Sequence, residues 1–242
     1  MGANDFYVGY YEDHYFSHHG ILGQKWGIRR YQNPDGSLTT EGRTRYTKSE
    51  KMAEGIYKKY SILEPKITKD VQSAISSAGS KIYGLEHRKK TKESLSRKIV
   101  SDRKKKNITT DQSAKEINDA LRYTSVSNDD DFVSNYNKVK KNLAKNGYKE
   151  IKCKNYFDLY RQGKAAHKQV TSVFSDKEGN VFEIQFQTPS SIKAKELKTP
   201  LYEEVRKDGV SEERKKQIVT KMDLLAKKVK DPKGVDRIKT YG

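Results

Sequence analysis

The chain has 242 residues, enough for one substantial domain with an appendage or for two small ones, but its apolar share of 33 % against 34 % charged residues excludes a large hydrophobic core. Fifty Lys and Arg against 32 Asp and Glu give a net charge of +18, which either faces a polyanion such as a nucleotide or nucleic acid or forms a solvated lysine-rich surface. The single cysteine, Cys153, excludes an internal disulfide, and the absence of a long apolar run excludes a membrane span. These features lead to the expectation of a soluble intracellular or particle-borne protein.

Residues 1–47 crowd Gly, His and aromatic residues without a sustained apolar period, a composition suited to docking on another protein. His14, His18 and His19 lack companions at metal-ligand spacing. Pro34-Asp35-Gly36 signals a turn, and Thr39 or Thr40 is placed to cap a short helix carrying Glu41, Arg43 and Arg45.

Residues 48–66 read as a helical linker ended by Pro65. From there Ile67, Val71, Ala74, Ile75 and Ala78 recur every three or four residues, the spacing of an amphipathic helix. The segment Arg88-Lys89-Lys90-Thr91-Lys92-Glu93-Ser94-Leu95-Ser96-Arg97-Lys98-Ile99 opens a helix behind a dense run of cations. That pattern fits either phosphate binding or a solvated face.

A helix is expected over 107–119 and a strand over 120–126. A further helix over 132–145, capped by Asn128 to Asp131 and stopped by Asn146-Gly147, precedes a strand over 148–154. Residues 158–164 read as a polar loop. Val170 to Phe174 and Val181 to Thr188 read as the two strands of a hairpin, with Ser175 to Asn180 as its loop. Alternation in the second strand sends Phe182, Ile184 and Phe186 to one face and Glu183, Gln185 and Gln187 to the other. Pro189-Ser190-Ser191 begins a helix reaching Arg206 or Lys207, and a last helix spans 211–228. The order implies an α+β fold, a small mixed or antiparallel sheet flanked by helices, over residues 67–242.

Two resemblances add to this reading. His18-His19-Gly20-Ile21-Leu22-Gly23-Gln24-Lys25-Trp26-Gly27-Ile28-Arg29-Arg30-Tyr31-Gln32-Asn33-Pro34-Asp35-Gly36-Ser37-Leu38-Thr39, with Gly42-Arg43 and Tyr46, resembles a segment near the start of many proteins of tailed phages and prophages of Firmicutes. It implies a phage virion or morphogenesis protein that docks on capsid or neck proteins through residues 1–47. Localisation would then be the virion or the host cytoplasm.

The second resemblance rests on the basic stretch 88–99, on Asn118-Asp119-Ala120-Leu121-Arg122-Tyr123, and on Glu183-Ile184-Gln185-Phe186-Gln187-Thr188. Together these resemble the RelA/SpoT-like nucleotidyltransferase domain of alarmone synthetases and related toxins. The resemblance implies transfer of pyrophosphate from ATP to a guanine nucleotide or tRNA with Mg as cofactor. It implies Arg88, Lys90, Lys92, Arg97 and Arg122 on phosphates, Glu183 on the attacking hydroxyl, and Gln185 beside the nucleotide. It further implies Asp119 and Glu183 on the metal, Tyr160 stacked on a base and His167 nearby. In the family a metal-binding Asp stands five residues before the strand's Arg; here Ile117 holds that position and Asp119 lies three before Arg122. The family's Gly-Tyr-x-Ser-x-His stretch has a loose counterpart in Tyr160 through His167. The alternative function is a non-catalytic virion protein using the same fold as a basic scaffold.

Overall fold

A computed structural model describes residues 33, 35, 37–205 and 209–242. Residues 1–32 of the segment expected to dock, with His14, His18, His19 and Trp26, lie outside the described residues, as do residues 206–208 at the expected end of the 189–207 helix. Two compact units make up the remainder. One comprises Lys69–Leu85 and Tyr123–Gly242; the other comprises the described residues through Thr68 together with Glu86–Arg122.

Helix α1, Thr40–Ser77, runs from the second of these units into the first. Its N-terminus is capped as expected, the Thr39 hydroxyl accepting the Gly42 amide at 3.1 Å. Pro65, expected to end a helix, lies inside this one. An interior proline removes one backbone hydrogen bond at a cost of about 3 kcal/mol. Burial on both sides of it, at Tyr60, Ile67, Val71, Ala74, Ile75 and Ala78, offsets that cost.

The first unit is built on a five-stranded sheet of β1 (Lys81–Ile82), β2 (Arg122–Val126), β3 (Lys149–Asn155), β4 (Val170–Ser175) and β5 (Val181–Gln187), in the order β1-β2-β5-β4-β3. The pairs β1 with β2, β3 with β4 and β4 with β5 are antiparallel. β2 and β5 meet at their C-terminal ends, where the Ser127 amide donates to the Gln187 carbonyl at 3.0 Å, so they run parallel and the sheet is mixed. The β4–β5 hairpin turns on Asp176, whose Oδ1 accepts the amides of Glu178 and Asn180 at 3.0 and 2.8 Å.

The strand alternation read from β5 is realised. Phe182, Ile184 and Phe186 are all buried. Tyr123 and Tyr148 meet Phe182 edge-on with ring centroids 6.0 and 5.2 Å away, and Tyr136 meets Phe186 at 4.9 Å. Helix α4, Phe132–Lys145, supplies Phe132, Tyr136, Val139 and Leu143 to this core at helical spacing. Each such side chain contributes about 1.5–3 kcal/mol through removal of its surface from water. The result is an α+β fold, as the sequence implies.

Residues 158–164, expected as a loop, mostly form helix α5, Tyr156–Arg161. Asn155 starts it, its side-chain oxygen accepting the Phe157 and Asp158 amides at 3.1 and 3.4 Å. The same buried amide donates to the carbonyls of Val235 and Ile238 at 2.8 and 2.9 Å, and Tyr241 bridges Cys153 on β3 through two backbone hydrogen bonds. Helices α6 (Pro189–Val205) and α7 (Glu212–Lys227) pack through Leu201, Val205, Ile218, Val219 and Met222.

In the second unit the helix expected over 107–119 is divided. Helix α2, Lys92–Lys106, ends at Asn107, whose φ of 52° lies in the left-handed region that Asn tolerates. Helix α3, Thr110–Lys115, starts from a capping box between Thr109 and Gln112. Ala53, Tyr60 and Ile67 of α1 are buried in this unit, as are Leu95 and Ile99 of α2 and Ile117, Ala120 and Leu121.

Candidate functional site

The sequence-derived site residues divide between the two units. Arg88, Lys90, Lys92, Arg97, Asp119 and Arg122 belong to one; Tyr160, His167, Glu183 and Gln185 belong to the other.

In the first group, backbone pairing does the positioning. The Arg122 amide donates to the Arg88 carbonyl at 2.7 Å, the Lys90 amide donates to the Ala120 carbonyl at 3.0 Å, and Lys89 bridges Leu121 in antiparallel fashion. This short ladder sets the basic stretch against the segment from Asp119 to Arg122. Lys90 Nζ lies 3.3 Å from Asp119 Oδ2, and Lys98 Nζ lies 3.9 Å from Oδ1 of the same carboxylate. Arg122 stands on β2 opposite in facing to the buried Tyr123, and is itself half-buried.

Behind the ladder, Arg88 contacts Glu64 through Nε, and the Thr68 hydroxyl donates to the same Glu64 oxygen at 2.6 Å. The Arg88 hydrogen bond holds the Glu64 carboxyl below the usual range, against the opposing effect of its partial burial. Lys89 and Lys92 lie 4.6 and 5.5 Å from the ring centre of Tyr57, and Lys92 is 3.8 Å from Glu54. Arg97 is exposed and donates to Ser94 at 3.2 Å.

Around Glu183, a ladder of polar side chains follows β5. Gln185 donates to Glu183 at 2.9 Å, Gln187 donates to Gln185 at 3.3 Å, and Ser191 donates to Gln187 at 3.4 Å. Lys195 of α6 donates to Gln185 at 3.2 Å. Register places Val173 and Thr171 opposite Glu183 and Gln185, and Lys152 and Lys154 opposite those two in turn. The face that carries Glu183 therefore also carries Lys152 and Lys154, because directly opposed residues share a side of the sheet. The sequence alone does not mark Lys98, Lys152, Lys154 and Lys195 as site residues. Lys152 and Lys154 bear one signal, the period-two spacing of charge within a strand.

Tyr160 and His167 are placed differently from expectation. Tyr160 is buried; its hydroxyl donates to Asp223 at 3.1 Å, and Lys168 lies 4.8 Å from its ring centre. Its hydroxyl is thus committed to Asp223 and its ring to Lys168. His167 lies against Tyr156, with ring centroids 4.3 Å apart, and burial with the charges of Lys198 and Lys195 lowers its pKa to about 3. By surface area His167 is half-buried. Lys198 is itself buried, donating to the Ala166 carbonyl at 2.8 Å, and desolvation lowers its pKa to about 8.

Among the described residues no three His, Cys, Asp or Glu side chains gather in one cluster. Magnesium in nucleotide sites takes one or two carboxylates and completes its shell with phosphate oxygens and water. Asp119 fits that mode: its Oδ1 is buried and accepts no hydrogen bond, while Oδ2 faces Lys90.

No known family profile matches the chain, and no curated protein matches it. Solved structures do. The chain is similar to small alarmone synthetase 1 from Bacillus subtilis bound to its product pppGpp, at 17 % identity and a TM-score of 0.43 over 60 % of this chain and 72 % of that one. It is also similar to the type VI effector Tas1, solved in complex with its immunity protein, at 20 % identity and a TM-score of 0.44 over 72 % and 94 %. A third is a GTP pyrophosphokinase family protein from Streptococcus pneumoniae, at 16 % identity and a TM-score of 0.42 over 78 % and 89 %. Among the described residues no helix is long and apolar enough to cross a membrane.

Proposed function

We propose that the chain is a RelA/SpoT-like pyrophosphokinase that transfers a pyrophosphate from ATP to a guanine nucleotide or tRNA. The observation that carries this reading is the ladder joining Arg88 and Lys90 to Ala120 and Arg122, with Asp119 held at Lys90. It sets two of the motifs that carry the family resemblance beside each other.

Arg88, Lys90, Lys92 and Arg97 are assigned to the triphosphate of ATP, with Arg122 as a further contact. Fixed cations suit this chemistry because phosphoryl-type transfer depends mainly on placement and charge neutralisation. Glu183, held by Gln185, is assigned to the acceptor ribose hydroxyl. That hydroxyl attacks the β-phosphorus of ATP, its proton passes to the Glu183 carboxylate, and the bond from the β-phosphorus to the α,β-bridging oxygen breaks to release AMP. Lys152, Lys154 and Lys195 accompany Glu183 and are assigned to phosphates of the acceptor. Asp119 would hold magnesium, which when bound neutralises charge developing on the phosphate oxygens.

The N-terminal resemblance supports a phage or prophage setting, in which residues 1–47 would dock on capsid or neck proteins and the chain would act in the virion or the host cytoplasm. Incubation with Mg and ATP labelled in its β- and γ-phosphates, in the presence of GDP, GTP or tRNA, tests the activity. Label on one acceptor supports the reading and identifies the substrate. No label on any acceptor, together with undetectable ATP binding, overturns it and leaves the non-catalytic scaffold.

A further inference from the structure

The segment that reads from sequence as a linker carries a stripe of polar residues on one face of α1. Glu54, Tyr57, Ser61 and Glu64 follow each other at intervals of three, four and three residues, which aligns them along the helix, and Thr68 continues the row. Each of the first four contacts a cation of the 88–92 segment. Glu64 holds Arg88, Ser61 accepts from Lys89 at 3.3 Å, the Tyr57 ring underlies Lys89 and Lys92, and Glu54 stands 3.8 Å from Lys92.

We propose that this stripe positions the cations that bind the polyphosphate of ATP, with Glu64 as the positioning residue for Arg88 and Tyr57 as that for Lys92. The inference rests on the pyrophosphokinase reading and adds the device that orders its phosphate-binding side chains. Three physical points support it. First, the main chain of 88–90 is already fixed by its ladder with 120–122, so the stripe acts on side chains. Second, long cationic side chains lose rotamer freedom when ordered, and ordering them before the ligand arrives removes that cost from binding. Third, the contacts leave the cations able to act. The Glu64 contact is made at Nε, one of five guanidinium donors, and a ring face attracts an ammonium without neutralising it. Glu64 is itself oriented by Thr68 and is ionised near neutral pH, because Arg88 holds its carboxyl below the usual range.

The test is ATP binding to the full chain, by calorimetry with Mg and a non-hydrolysable ATP analogue, alongside a thermal melt of each variant. Lys90→Ala, which leaves the stripe intact, is the control for the site reading and is expected to weaken binding more than about 10-fold. Glu64→Ala and Tyr57→Leu are each expected to weaken binding about 5- to 20-fold with little change in melting temperature, and Glu64→Gln, which keeps an acceptor for Arg88, to fall in between. In the Arg88→Ala background, Glu64→Ala is expected to add nothing further, a non-additivity that a general loss of stability would not produce. Should Glu64→Ala melt early, Tyr57→Leu and Glu64→Gln carry the test. Wild-type affinity in the stripe variants, with binding lost in Lys90→Ala, overturns the positioning role and leaves the site reading standing. No ATP binding by the unmodified chain overturns both.

Discussion

Lys90 and Asp119 face each other at 3.3 Å, although 29 positions of sequence separate their numbers and neither lies in a long regular strand. Lys98 approaches the same carboxylate from α2. Asp119→Asn would leave two ammonium groups around a neutral amide in a mostly buried place, an expected loss of about 1–3 kcal/mol by urea unfolding. The same variant should lose the Mg-dependence of ATP binding. Unchanged dependence on Mg would assign Asp119 to charge balance alone.

Glu183→Gln keeps the size of the side chain and an oxygen to accept from Gln185 while removing the charge. Loss of general-base assistance commonly costs about 10²–10⁴-fold in rate. The expected result is pyrophosphate transfer reduced by that range with an unchanged thermal melt. Retained activity would show that Glu183 does not handle the proton; a large fall in melting temperature would make it structural.

Tyr160→Phe removes the hydroxyl that donates to the buried Asp223, leaving Lys227 as the ion partner of that carboxylate at 2.7 Å. Leaving a buried acceptor short of a donor costs about 1–3 kcal/mol. The variant should unfold at lower urea while its nucleotide affinity, measured well below the transition, stays within about twofold of wild type. A selective loss of nucleotide affinity would restore Tyr160 to the ligand.

His167 is expected to make stability depend on mild acid. Its folded pKa is lowered to about 3 from the ordinary 6.5, so as pH falls below 6.5 the unfolded chain takes up a proton that the folded chain does not. Stability is therefore lost progressively from about pH 6.5 toward pH 3, with a slope of at most about 1.4 kcal/mol per pH unit from this group. His167→Phe keeps a ring against Tyr156 and does not titrate. Its stability relative to wild type, from urea unfolding at about pH 7 and about pH 5, should improve at the lower pH; a constant difference would show that His167 does not contribute.

What was legible in the sequence was what a local period encodes. The alternation of β5, the apolar spacing of Ile67 to Ala78 and the stop signals at Asn146-Gly147 all depend on neighbours in the chain, and the structure realises each. The meeting of Lys90 with Asp119 was not legible, because its register is set by a bridge between separate segments. Nor was the stripe on α1, since Glu54, Tyr57, Ser61 and Glu64 repeat with helical spacing but not as apolar residues, and an apolar period detects only faces turned to a core. The burial of Tyr160 is not legible for a related reason: its hydroxyl partner, Asp223, stands 63 residues away.

The outer edge of β3 is completed by a segment from much later in the chain, Asn155 reaching the Val235 carbonyl across 80 residues and Cys153 pairing with Tyr241. During synthesis this edge has no partner on its free side until those residues emerge from the ribosome. Exposed edges pair readily with other chains, and long-range pairing forms late. Slow codons between β3 and residue 241 would lengthen the time for which that edge stays unpaired.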